Sequence, residues 1–224
     1  MKLNVLYEDN HLIAVEKPAG VLVQGDKTKD ISLMDEVRGF LKNKYEKPGN
    51  VFLGLIHRLD RPVSGIVLFA KTSKGASRIS EQFRNHDVEK IYHAVVKGKP
   101  QTIKGTLVDY LKKDKEKNKV FLISELKKGF LRAELFYQVI FSNEKYSLLR
   151  IELKTGRSHQ IRVQLSNIGC PIVGDIKYGG KALSDKSICL SANQLSFKLA
   201  TQEDRKDLKI MLPKEWKKYV KIIE

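Results

Sequence analysis

Residues 57–71, HRLDRPVSGIVLFAK, set a single carboxylate, Asp60, between Arg58 and Arg61, just ahead of a proline and an apolar run. Nearby positive charge favours the ionised carboxylate, which suits a nucleophile or an electrostatic stabiliser better than a general acid. A turn aspartate paired structurally with Arg58 or Arg61 explains the same spacing, and on spacing alone that reading outweighs the catalytic one. Other chemistries lack their residues. Cys170 and Cys189 form no CxxC pair and no clustered histidines accompany them, so no metal and no disulfide is expected, and both thiols read as buried and inert. Neither a Walker loop nor a dinucleotide fingerprint occurs.

The HRLD segment, followed by Ser64-Gly65 and Ala70-Lys71, resembles the signature of the RluA-type pseudouridine synthases. Further segments follow in order. Tyr7-Glu8-Asp9 and Lys17-Pro18-Ala19-Gly20 precede it; KIYHA at 90–94 is similar to the family's second motif and KTGRSHQIR at 154–162 to its third. Gly174-Asp175, Tyr178-Gly179 and Leu190-Ser191-Ala192 with Leu195 and Phe197 complete a resemblance running from about residue 5 to residue 200. One such motif arises easily by chance, whereas an ordered set does not. Val63 stands where the family often has threonine and Ser191 where it often has histidine; both departures bear on substrate fit more than on reaction type.

The resemblance implies isomerisation of uridine to pseudouridine in RNA, a reaction without redox change that needs no cofactor. Asp60 would be the essential carboxylate, either attacking the sugar or abstracting a ribose proton. Arg157 is the first candidate to hold Asp60 ionised through a charge-assisted bond, with phosphate binding as its alternative and Arg162 as the other candidate partner. Tyr92 would stack on the uracil and take part in removing the C5 proton, although core packing is the ordinary role of a strand tyrosine. Leu190 would close the pocket beside the base. A stacked uridine must be flipped out to react, at a cost of roughly a few kcal/mol. Arg58 is the expected wedge in the vacated stack, with His57 shaping the turn and Arg61 on phosphate.

Positioning these groups requires a scaffold. The apolar runs within residues 5–23, broken by turn residues, predict two strands. Ser32 ahead of Leu33, Val37, Phe40 and Leu41 predicts an amphipathic helix over 33–45. Residues 65–71 read as a buried strand, and a second helix starts at Ser73 and ends near Asn85. Residues 90–97, 131–141 and 146–153 read as strands, the last two as a hairpin. Residues 158–168 predict a helix stopped at Gly169, and Pro213 opens a terminal helix carrying Trp216, Val220 and Ile223. The charge-dense stretch 109–119 reads as an exposed loop that could separate two lobes.

This pattern supports an α+β fold. The resemblance adds a mixed, mostly antiparallel sheet in two lobes with a central catalytic cleft, the pseudouridine synthase fold. A single catalytic domain over 1–224 is expected, without a separate N-terminal RNA-binding domain.

Composition agrees with an RNA partner. Forty-two Lys and Arg against 26 Asp and Glu give a formal charge of +16 over 224 residues, a field that attracts polyanions. Lys112, Lys113, Lys115, Lys127 and Lys128 could reach phosphates, though such a run is usually just solvated. Charges interrupt the opening segment at Lys2, Glu8, Asp9, Glu16 and Lys17, and no apolar run is long enough to cross a bilayer. A cytoplasmic protein with no membrane is therefore expected; the resemblance implies structured RNA, rRNA or tRNA, as its partner, with no protein partner, and a monomer would suffice. The competing readings are a catalytically silent RNA-binding or RNA-folding protein and, more weakly, a nucleoside glycosidase, which would want a paired acidic signature near Asp60.

Overall fold

Continuous apolar runs set the buried strands, and capped amphipathic segments set the first two helices. The computed structural model describes residues 3–222. In chain order the elements are β1 (Asn4–Glu8), β2 (Leu12–Lys17), α1 (Leu33–Lys44), β3 (Gly54–Leu55), β4 (Ser64–Ala70), α2 (Ser73–Arg84), β5 (Glu89–Lys97), β6 (Lys104–Asp114), β7 (Lys119–Ile123), β8 (Leu131–Ser142), β9 (Tyr146–Leu153), α3 (Gln160–Asn167), β10 (Leu190–Lys198) and β11 (Arg205–Lys209). Short 3-10 turns lie at Ile176–Tyr178 and Lys214–Lys218. The fold class is α+β, as expected. The chain divides into two units: the first runs to Val88 and resumes at Gln194–Ile210, and the second takes Glu89–Asn193 and the residues from Met211 on.

In the first unit β2 lies antiparallel between β1 and β4, β3 joins β4, and the C-terminal half of β10 pairs with β11. Its core gathers Leu12 and Ala14 from β2, Ile66 and Leu68 from β4, Ile79 from α2 and Phe197 from β10. Each large apolar side chain fully buried in this way contributes roughly 1.5–3 kcal/mol. Helix α1 starts where Ser32 predicts. The Ser32 hydroxyl accepts from the Asp35 amide at 3.3 Å, and the Asp35 carboxylate accepts from the Ser32 amide at 3.1 Å, a reciprocal cap. Leu33, Met34, Val37 and Leu41 form its buried face. The cap of α2 is Thr72, whose hydroxyl accepts from the Gly75 amide at 3.1 Å.

The second unit is an antiparallel sheet in the order β5, β9, β8, β6, β7. The β8–β9 turn closes as an Asx turn, because the Asn143 side-chain oxygen accepts from the Lys145 and Tyr146 amides. One face of β6, β7 and β8 packs Leu111, Val120 and Ala133 against Val163 of α3 and Tyr178.

Three expectations need correction. Residues 109–119 are no separating loop: β6 runs through Asp114, β7 begins at Lys119, and both lie inside the second unit. Inward residues such as Leu111 and Val120 repay the strand conformation, but Lys113, on the same face as Val120, is exposed like Lys112, so consecutive lysines break the two-residue period and conceal the strand. The terminal helix is only the 3-10 turn Lys214–Lys218 after Pro213; Trp216 and Val220 are buried as foreseen, and Ile223 lies outside the described residues. Helix α3 also starts later than expected, at Gln160, because His159 adopts a left-handed φ of 51° and turns its ring to the Tyr178 hydroxyl, 2.8 Å away. Both cysteines are buried and free, and burial raises the Cys170 thiol and pushes Cys189 up to about 12, which leaves them unreactive. Among the described residues no helix is long and apolar enough to cross a membrane.

Candidate active site

His57, Arg58, Asp60 and Arg61 belong to the first unit, and Tyr92, Arg157, Arg162 and Leu190 to the second. In the first unit Asp60 sits on the turn between β3 and β4, where the Val63 amide donates to the Asp60 carbonyl at 3.0 Å. This turn is fastened to the loop that follows β2. The Gly20 amide donates to the Arg61 carbonyl at 2.8 Å, and Arg61 Nε donates back to the Gly20 carbonyl at 2.9 Å. Gly20 has φ +86°, a conformation that glycine alone adopts without strain.

Lys17 lies under this junction and is 0% exposed. It closes β2 opposite Gly65 of β4, and its ammonium donates to the carbonyls of Pro18 at 2.9 Å, Val21 at 2.7 Å and Arg61 at 3.1 Å. One buried cation thus uses two donors on the loop after β2 and its third on the Asp60 turn, tying the two together. Burial pushes its pKa from the ordinary lysine value down to about 7; the Asp60 carboxylate opposes that shift and Arg61 adds to it. Sequence reasoning quoted Lys17 within Lys-Pro-Ala-Gly but gave it no role. The available signal was a lysine ending an otherwise apolar strand directly before a Pro-Ala-Gly turn.

The other residues of this segment divide by environment. His57 accepts the Leu68 amide at 3.1 Å through Nε2 and stacks on Phe83 with ring centroids 4.9 Å apart, so its ring shapes the turn from within the fold. Arg61, expected on phosphate, donates to Asp30 at 2.7 Å in addition to Gly20 and acts as a tie between loops. Arg58 is exposed.

In the second unit the segment 154–162 is braced before it reaches α3. The Lys154 and Thr155 amides both donate to the Glu134 carbonyl at 3.1 Å, and the Thr155 hydroxyl accepts the Glu134 amide at 2.8 Å. Gln160 completes the brace: its oxygen accepts from the Thr155 hydroxyl at 2.8 Å and the Arg157 amide at 3.0 Å, while its amide donates to the Glu134 carbonyl. The Arg157 side chain is exposed, and its Nε donates to the Arg132 carbonyl at 3.1 Å.

Arg162 differs in every respect. It is 5% exposed and grips Asp175 through two bonds, Nε to Oδ2 at 2.6 Å and one terminal nitrogen to Oδ1 at 2.8 Å. The Tyr178 ring lies 5.2 Å from its guanidinium carbon. Asp175 is itself 1% exposed and follows Gly174, where φ is +91° and a Cβ would fall 2.5 Å from the Ser187 carbonyl oxygen. Glycine is therefore required to admit the turn that presents Asp175. This partner of Arg162 was not foreseen, although Gly174-Asp175 had been singled out as a motif. Tyr92 lies on β5 opposite Ile151 of β9, and Leu190 opens β10; both are buried.

Residues 11–167 match the family model described as RNA pseudouridylate synthase. The chain is 35% identical to tRNA pseudouridine synthase C of Haemophilus ducreyi, over 96% of this chain and 93% of that protein. It is 30% identical to ribosomal large subunit pseudouridine synthase D of Borreliella burgdorferi, over 96% of this chain and 66% of that protein. Among solved structures, human RNA pseudouridylate synthase domain containing 4 aligns with a TM-score of 0.79 at 25% identity, over 95% of this chain and 90% of that one.

Proposed function

From the premise that this chain belongs to the RNA pseudouridylate synthase family, isomerases acting on RNA, we propose that Asp60 is its catalytic carboxylate and that a uridine of tRNA or ribosomal RNA is its target. In that reaction the bond from ribose C1′ to uracil N1 breaks, the base rotates, and a bond forms from C1′ to C5. The C5 proton leaves and N1 carries a proton in the product, so no electrons are gained or lost. Asp60 acts either as nucleophile at the sugar or as the base that takes a ribose proton. In both cases a carboxylate held in one orientation lowers the barrier. Carrying this reading is the clamp beneath the Asp60 turn, where one buried ammonium ties the Arg61 carbonyl to the Pro18 and Val21 carbonyls of the neighbouring loop and so steadies the backbone on which the carboxylate is mounted.

Tyr92 is proposed to stack on the uracil and assist loss of the C5 proton, and Leu190 to line the base's apolar side. Arg157 and Arg162 are the two candidates for counter-charge to the carboxylate. Burial and the fork grip of Asp175 favour Arg162, because a guanidinium already oriented loses little freedom when it engages an anion. Arg157 then serves the RNA backbone from its exposed position. Arg58, exposed on the same turn as Asp60, is the wedge that fills the stack when the uridine flips out. The cytoplasm, where tRNA and rRNA are processed, is the proposed location, and a monomer suffices.

The decisive experiment maps pseudouridine by carbodiimide labelling and primer extension across total tRNA and rRNA, comparing cells that carry the wild-type gene, a deletion and Asp60→Ala. Loss of the same site or sites in both mutants establishes the activity and identifies the RNA. An unchanged map in both would replace this reading with that of a silent RNA-binding protein.

A further inference from the structure

The outer face of the β6–β7–β8 sheet holds none of the residues assigned to the reaction. Leu111, Val120 and Ala133 turn inward to α3, so by strand alternation Val108, Tyr110 and Lys112 of β6 face the other way. In the ladder Lys112 stands opposite Phe121 of β7, and Tyr110 stands opposite Arg132 of β8. Directly paired residues share a face, so two rings and two cations alternate across three strands, with Tyr110 and Phe121 as diagonal neighbours about 7–8 Å apart. Phe121 is 44% exposed and Val108 42%. The Lys112 ammonium lies 5.6 Å from the Phe130 ring centroid, adding a third aromatic at the margin.

Phe121, exposed, and Tyr110, half-buried, can meet another protein or a nucleic acid, and charge decides between them. A protein partner would have to desolvate Lys112 and Arg132 and supply matching acids. A polyanion gains counterion release from the same cations, in a chain of formal charge +16. Glu134 shares this face and pairs with Arg132 at 2.6 Å, so a phosphate beside Arg132 displaces that carboxylate, whereas Lys112 meets the phosphate directly. Rings demand the flat face of a base, and a duplex keeps its bases stacked on each other, so the ligand is unpaired.

We propose that this face binds an unpaired segment of the substrate RNA, outside the reacting nucleotide, with bases stacked on Tyr110 and Phe121 and phosphates beside Lys112 and Arg132. It rests on RNA being the substrate and extends recognition beyond the residues of the reaction. It also gives a use to Lys112, which otherwise reads as part of a solvated run.

The test titrates a short fluorescein-labelled single-stranded oligoribonucleotide into the full chain. The double variant Tyr110→Leu/Phe121→Leu keeps apolar bulk but loses the rings, and its affinity should fall by about tenfold or more. Tyr110→Phe/Phe121→Tyr should bind like the wild type, and a duplex of the same sequence should not distinguish the three proteins. Wild-type affinity in the leucine variant, an equal loss on the duplex, or self-association of the wild type that the leucine variant abolishes would each overturn the proposal, the last by making a second copy the occupant. Pseudouridine formation is scored separately: ring-dependent binding without any pseudouridine would support this face and reject the catalytic reading. Pseudouridine formed at wild-type levels with no ring-dependent binding would do the reverse.

Discussion

The Lys17 ammonium donates to the Arg61 carbonyl at 3.1 Å, one residue beyond Asp60 in the chain. The same ammonium satisfies the Pro18 and Val21 carbonyls, so its removal leaves these two acceptors without a donor and the Arg61 carbonyl with the Gly20 amide alone. Lys17→Met fills much the same space yet offers no hydrogen. Each buried acceptor left unpaired costs about 1–3 kcal/mol, and the variant should lose about 3 kcal/mol of stability in a denaturant melt. A variant as stable as the wild type would show that these bonds hold nothing in place.

The same lysine gives stability a pH signature. Its folded pKa of about 7 lies below the ordinary value of 10.5, so between the two the unfolded chain binds more protons than the folded one. Wild-type stability should therefore gain on that of Lys17→Met as pH climbs from about 7 toward 10.5. Below that window the difference between them should be flat. Melts at matched ionic strength across the range would show this, and parallel curves throughout would contradict it.

Glu8 titrates in the opposite direction. Burial alone would raise its carboxyl, but hydrogen bonds from Lys44, Lys71 and the Tyr45 hydroxyl outweigh that and bring it down to about 2. A depressed carboxyl stabilises the fold above its unfolded value of 4.5, and that contribution is lost as pH falls from there toward 2. Glu8→Gln should be less stable than the wild type at neutral pH, and the gap should close in acid. A gap of constant size down to low pH would mean that the charge is not what matters.

Which parts of this architecture the sequence disclosed follows from the range of the forces involved. The Ser32 cap, the β8–β9 hairpin and the β-branched and aromatic content of β5, β8 and β9 are local signals, and the structure bears them out. The strands β6 and β7 were missed because consecutive lysines break a period visible only once Leu111 and Val120 are known to face a core. Lys17 shows a deeper obstacle. Nothing in residue type separates a buried lysine from a solvated one, and its acceptors include a carbonyl 44 residues away. Arg162 and Asp175 were both noticed in their motifs, yet only folding reveals that they form one buried fork.

That fork separates the two arginine candidates. Asp175→Ala strands a buried guanidinium and should cost about 3–5 kcal/mol. Arg162→Met should lower kcat by about 10²–10³ if Arg162 is the counter-charge, since such stabilisation acts as charge develops. Arg157→Met, altering an exposed side chain, should act chiefly on KM. Single-turnover rates at saturating RNA, with a melt to verify folding, distinguish the two; a larger kcat loss in Arg157→Met would reverse the assignment.

Arg58 stands exposed two residues before Asp60, the proposed catalytic carboxylate, on a turn where His57 is tied to the Leu68 amide and Phe83, and Arg61 to Gly20 and Asp30. An exposed guanidinium on a rigid turn is suited to enter a base stack as a uridine leaves it. Extruding a stacked base costs roughly a few kcal/mol, whereas an unstructured strand has little stacking to lose. Arg58→Ala should therefore slow pseudouridine formation about tenfold or more on the folded RNA and far less on an unstructured oligonucleotide with the same target sequence. Arg58 that contacts only phosphate would contribute to both substrates alike, so equal losses on the two would remove it from the role of wedge and leave base flipping to another part of the chain.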